Sequence, residues 1–231
     1  MRKIQRLAAV GATAALAVAL GACSNSEAPS TAAPAPSSSA APSSSASAAP
    51  SSSAMAMGDG VTTTADIFGP ACSQVPTEGE GSAEGMVDDP VATAASNNPL
   101  LTTLVTAVGA VDGLGDTLNS AEALTVFAPY NDAFTNLSGT IGEEAFNAIL
   151  ADQAQLGPIL QGHVSTTRMD AEGLVEAGSI DVLSGGSVTV GGSADAPTFD
   201  LGGGAANNLC GNIPTSNATV FVIDTVLLPA S

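Results

Sequence analysis

Residues 24–57 limit what this chain can fold into more than any other stretch, because they are almost wholly Ser, Ala and Pro, with Glu27 their only charge. Such a run offers almost no bulky apolar side chains, so burial cannot offset the entropy of ordering it. It reads as a tether of about 30 Å average span by random-coil scaling. Any compact fold must therefore come from the residues after it. With Trp 0, Tyr 1 and Phe 6, that core has to be built mainly from Leu, Val, Ile and Ala.

The residues before the tether read as an export signal. Arg2, Lys3 and Arg6 make a basic start, and Leu7 to Leu20 is an apolar run interrupted by one Thr. That run is shorter than the roughly 20 residues of a spanning helix and fits a signal-peptide core over residues 1–22. It ends in Leu20-Gly21-Ala22-Cys23, which resembles a bacterial lipobox. The resemblance implies that Cys23 becomes the lipidated first residue of residues 23–57 and that its acyl chains are the membrane contact. An ordinary signal peptide cut before a cysteine is the other reading.

Charge narrows the partners. Asp+Glu 22 against Lys+Arg 4 give a formal net charge of −18, and removal of Arg2, Lys3 and Arg6 would take it to −21. Binding to nucleic acid needs clustered Lys and Arg, so no nucleic-acid partner is expected. A polybasic grip on anionic lipid fails by the same count. The acidic run Glu78, Glu80, Glu84, Asp88 and Asp89 lacks the ligand spacing of an EF-hand and reads as a solvated surface.

Residues 58–88 form an N-terminal extension containing Cys72, and a compact domain is expected over residues 89–231. Asp89-Pro90 and Asn98-Pro99 each supply an N-cap and a first-turn proline, for helices over Val91–Ala95 and Leu100–Val108. Leu124–Ala128 reads as a strand ending at Pro129, and Glu143–Leu150 as a helix with Phe146, Ile149 and Leu150 facing inward. Ile159–Ser165 begins helical and ends extended, and Asp170 caps a short helix reaching Val175. Ile180–Leu183 and Ser187–Val190 flank Ser184-Gly185-Gly186 as a hairpin, and Thr198–Leu201 is another strand. The β-branched run Thr219–Leu228 predicts a buried central strand. The class is α+β.

With Cys23 set aside, Cys72 and Cys210 are an even pair. In an exported protein they form either a bond or two buried thiols, and the oxidising compartment favours the bond.

Two segments carry a family resemblance. Thr125-Val126-Phe127-Ala128-Pro129-Tyr130-Asn131-Asp132-Ala133-Phe134 resembles the first signature of the fasciclin domain, and Val220-Phe221-Val222-Ile223-Asp224-Thr225-Val226-Leu227-Leu228-Pro229 its second. Between them Leu160-Gln161-Gly162-His163-Val164 is similar to the family's Tyr-His element, with Gly162 in the tyrosine's place. Asp89 to Leu100, together with Gly69-Pro70-Ala71-Cys72, resembles mycobacterial and actinobacterial surface-lipoprotein antigens that carry one fasciclin domain. The resemblance implies a β-wedge or sandwich flanked by helices, a Cys72–Cys210 bridge, a structural hydrogen bond from His163, and adhesion or interaction without catalysis. Adhesive members contact integrins through an Asp-Ile pair. The matching Asn212-Ile213 lacks that carboxylate, which argues against integrin binding; the resemblance leaves His163, Asn212 and Ile213 as candidate interaction positions. Phe221 replaces a common histidine and is expected to pack in the core.

His163 is the only histidine, which removes H-E-x-x-H and multi-histidine zinc sites. No G-x-S-x-G elbow, P-loop or G-x-G-x-x-G is present. No catalytic residues, metal or cofactor are expected. The leading expectation is a lipid-anchored module on the outer face of a bacterial membrane or in the cell wall, anchored or shed. It would bind an envelope or host protein or glycan. The alternative is a carrier of a small apolar molecule, a lipid or cell-wall precursor, held between sheet and helices.

Overall fold

The computed structural model describes residues 60–229; the export signal, Cys23 and the Ser/Ala/Pro tract lie outside the described residues. The helices are α1 (Ala83–Met86), α2 (Val91–Asn97), α3 (Thr102–Gly109), α4 (Leu114–Ser120), α5 (Asn131–Ile141), α6 (Glu143–Ala151), α7 (Gln153–Gln161) and α8 (Ala171–Ala177). The strands are β1 (Leu124–Pro129), β2 (Val164–Ser165), β3 (Ser179–Asp181), β4 (Ser187–Ser193), β5 (Ala196–Asp200), β6 (Ala205–Pro214) and β7 (Ala218–Ile223). They form one sheet in the order β2-β1-β7-β6-β5-β4-β3. The β1–β7 pair is parallel and the other neighbours are antiparallel. The class is α+β, as the sequence predicts.

The signature segments become the two strands that are buried on both faces. Along β1, Leu124, Val126 and Ala128 face one apolar cluster while Phe127 faces another, and Val220 and Val222 alternate with Phe221 and Ile223 along β7 in the same way. A strand covered on both faces needs apolar residues at every position, which is why these segments read as continuous hydrophobic runs. The first cluster lies under α2, α3, α4, α5 and α7. In the second, Phe127, Phe199 and Phe221 pack with ring centroids 4.6, 6.1 and 5.5 Å apart, covered by Leu174 of α8. Phe221 is indeed core.

β6 joins the two halves of the sheet. It pairs with β5 over Ala205–Asn207 and with β7 over Asn208–Pro214, with register shifts on either side of Cys210. Bulges of this kind bend a strand and increase its twist.

Several elements differ from the sequence expectation. The C-terminal run leaves the sheet at Ile223 rather than Leu228, because the Asp224 carboxylate turns back to accept from the Asn207 backbone and side-chain amides, both at 2.8 Å. Asp89 is not the cap of α2. Pro90 holds that position, and the first helical N–H groups are taken by distant amides: Val91 N donates to Asn217 Oδ1 at 2.9 Å and Ala92 N to Asn119 Oδ1 at 3.0 Å. Asn98 caps the 3-10 turn Pro99–Leu101 that leads into α3, accepting from Leu100 N at 3.0 Å, while α3 itself begins at Thr102 with no side-chain cap. Val75 and Met86 of the N-terminal extension are buried in the same core as the helices.

Candidate functional site

Cys72 and Cys210 are joined as a disulfide across a sequence separation of 138 residues. The bond fixes the extension onto β6, where Phe68 also pairs with Gly211 and Ala71 N donates to Leu209 O at 3.0 Å.

His163 lies just past the end of α7, 2 % exposed. Its Nδ1 is 2.8 Å from the Ile159 carbonyl, and Nε2 accepts from Leu227 N at 2.9 Å. A backbone N–H cannot accept, so Nε2 is the bare nitrogen and Nδ1 carries the proton and donates. Burial lowers the ring pKa from 6.5 to about 4, partly opposed by the bond to Ile159. Both nitrogens are therefore engaged inside the protein, and His163 is a structural tie rather than an exposed contact residue. A Cβ on the adjacent Gly162 would come within 2.7 Å of Leu201 Cδ2. Leu201 occupies the space where a larger side chain would start.

Asn212 and Ile213 do not form an exposed pair. Ile213 is 1 % exposed and belongs to the helix-side core. Asn212 adopts φ +57°, the left-handed conformation that asparagine tolerates best among residues with a Cβ. Its Oδ1 accepts from Ala171 N at 2.9 Å, capping α8 alongside Asp170, which accepts from Gly173 N at 2.8 Å. The bulged stretch of β6 uses both residues for the fold. Of the pair, only Asn212 reaches the surface, half-buried, and Ile213 is sealed in the core.

The acidic run is spread over loops and α1, which carries Glu84, and among the described residues no group of three His, Cys, Asp or Glu is placed to hold a metal ion. Arg168 donates from Nε to Thr219 Oγ1 at 3.2 Å and from Nη2 to Thr215 O at 3.1 Å, and Thr219 Oγ1 donates to the Gly60 carbonyl at 2.6 Å. This cation secures the entry of the chain into the fold.

The feature that the sequence leaves unseen is a cavity of about 340 Å³ between α2, α3 and α4 and the helix-side face of the sheet. Leu104, Val105 and Val108 form one wall, Leu114 and Leu118 another, and Val126 and Val164 the sheet side beside His163. Thr93, Ser96 and Asp116 are exposed around its mouth. α4 is missed in sequence because its Leu114-Gly115-Asp116 start lacks a capping side chain and is preceded by Gly113 at φ +74°. Without α4 there is no cavity to foresee.

A two-faced central strand pair of this kind, with helices on one face and a hairpin layer on the other, defines a small α+β domain. The fasciclin-domain family model matches residues 99–229, and the chain belongs to the fasciclin family. The chain is 42% identical over 173 residues to cell surface glycolipoprotein MPB83 of Mycobacterium bovis, covering 71% of this chain and 73% of that one. To immunogenic protein MPT70 of Mycobacterium tuberculosis it is 43% identical over 173 residues, covering 71% of this chain and 83% of the relative. Among solved structures, a FAS1 domain pair from the insect cell adhesion molecule Fasciclin I aligns with TM-score 0.53 and 16% identity, over 62% of this chain and 52% of that one. That likeness concerns the fold.

Proposed function

We propose that this protein is a non-catalytic adhesion or interaction module of a bacterial cell surface, held to the outer face of the membrane through acyl chains on Cys23. The observation that carries the reading is the 42% identity, over 71% of the chain, to a protein named as a cell surface glycolipoprotein. The Leu20-Gly21-Ala22-Cys23 sequence supports the anchor, and the Ser/Ala/Pro tract gives the domain room to stand off the bilayer. The disulfide suits an oxidising compartment. The partner is a protein or glycan of the envelope or of a host cell.

Membrane fractionation with intact-mass measurement tests the anchor. The wild-type protein should pellet with membranes and carry acyl mass, and Cys23→Ala should lose both. Equal partitioning of the two, with no acyl mass on either, would remove it. Saturable capture of an envelope or host component by the Cys23→Ala protein tests the interaction role, and no saturable binder in either extract counts against it.

A further inference from the structure

We propose that the cavity between α2, α3 and α4 is a binding site for one uncharged aliphatic chain of about a dozen carbons, supplied by a lipid other than the protein's own anchor. The walls carry the chemistry. Val91, Leu104, Val105, Val108, Leu114 and Leu118 present branched aliphatic surface. Phe127, the one phenylalanine on the lining, turns its ring to the opposite face of β1, with its centroid 4.6 Å from that of Phe199. The only other ring on the lining is the imidazole of His163, so aliphatic surface dominates the walls.

The polar residues along the lining are already committed. His163 uses both ring nitrogens. Asn119 accepts from Ala92 N and donates to Thr93 Oγ1 at 3.3 Å, and Ser96 Oγ donates to Ala92 O at 2.7 Å. Asp116 remains at the mouth, and no Lys or Arg lines the cavity. A carboxylate or phosphate would meet like charge with no cation to receive it, and an ammonium would find only the single exposed, solvent-screened carboxylate of Asp116, so the ligand's headgroup is uncharged. Size sets the length. An apolar cavity of about 150 Å³ accepts benzene, with six carbons, so about 340 Å³ corresponds to about a dozen. The volume lies at the small end of ligand pockets, which run from about 300 to 1,000 Å³.

The source follows from where the chain enters. Gly60 is bound by Thr219, which faces away from Val220 and hence from the helix-side cluster that holds the cavity. Gly60, the first described residue, therefore lies on the face of the sheet opposite the cavity. The proposal does not depend on the adhesion reading and survives its failure.

Methyl NMR of the full chain carrying Cys23→Ala, titrated with 1-hexanol, 1-octanol, 1-decanol and decanoate at neutral pH, tests it. The methyls of Val105, Val108 and Leu118 should shift saturably. Affinity should rise by about fourfold per methylene along the alcohols. Decanoate should bind at least tenfold more weakly than 1-decanol. Ala95→Phe, which fills the lining, should abolish the shifts while the fold persists, and Gly115→Leu serves the same purpose if Ala95→Phe does not fold. Acylated wild type should bind 1-decanol as the Cys23→Ala protein does. Unmoved methyls, or undiminished binding in a folded filled variant, would overturn the site. Equal affinity for decanoate would overturn the uncharged class. Blocked binding in acylated protein alone would assign the cavity to the protein's own anchor and overturn the stated source.

Discussion

His163 Nε2 holds the backbone N–H of Leu227 at 2.9 Å, so one buried ring ties the end of α7 to the segment that follows β7. The other nitrogen donates to Ile159 O at 2.8 Å. Protonation would place an N–H against an N–H inside the core.

This ring makes stability depend on pH in a defined window. Its folded pKa of about 4 lies below the ordinary 6.5, so the unfolded chain takes up the proton first as pH falls. The stabilisation is complete above about pH 6.5, falls between there and about pH 4, and its loss reaches about 3 kcal/mol below that. Urea unfolding from pH 7.5 to 4 should show wild type converging on His163→Gln through this window. A constant gap between the two proteins would show that the ring is not responsible.

Asn217 holds the helical wall of the cavity to the sheet. Its Oδ1 accepts from Val91 N at 2.9 Å, and its Nδ2 donates to Leu118 O at 2.8 Å and Ala121 O at 2.9 Å. Asn217→Ala removes the partner of two buried backbone groups and one half-buried one and should cost about 2–4 kcal/mol. Hydrogen exchange checks the placement. Protection at Val91 N–H should fall by more than protection within β4 and β5.

Removing the Cys72–Cys210 bond with a double Ser substitution should destabilise the domain by about 2–5 kcal/mol, the upper end being the chain-entropy limit for a separation of 138 residues. Because the constraint acts largely on the unfolded chain, the urea m-value should rise as the midpoint falls. An unchanged midpoint would mean that the extension is held by its other contacts alone.

Asn212 should behave as a backbone and capping residue. Asn212→Gly keeps the left-handed conformation and loses the cap to Ala171, a cost of about 0.5–1 kcal/mol. Asn212→Ala loses both, at about 1–3 kcal/mol. Thermal unfolding should rank wild type above Gly above Ala, and an Ala variant as stable as wild type would refute the capping role.

What could be read from sequence follows how local each signal is. Leu124–Pro129 and the apolar half of Thr219–Leu228 are legible because burial on both faces forces every residue to be apolar. Asn98 and Asp170 are legible as caps because donor and acceptor lie within three residues of each other. The caps of α2 are not, since Asn119 and Asn217 arrive from 27 and 126 residues away. β6 is missed because Asn207, Asn208, Gly211 and Asn212 interrupt its apolar pattern, and its bulges exist to serve α8 and the disulfide. Asn212 and Ile213 stand where the resemblance places the family's Asp-Ile pair, yet burial and a left-handed backbone decide what they can touch.

The bond between Cys72 and Cys210 also sets the route of mechanical load. A protein anchored by its N-terminal side and gripped by a partner is pulled through that side, and tension that reaches Cys72 crosses directly into β6. The helices and the cavity lie in the loop that the bond closes, between residues 72 and 210. With the proposed anchor and a grip on β6 or on the strands beside it, they are off the line of force, and drag is borne by β6 and its ladder with β7 while the helical layer stays slack.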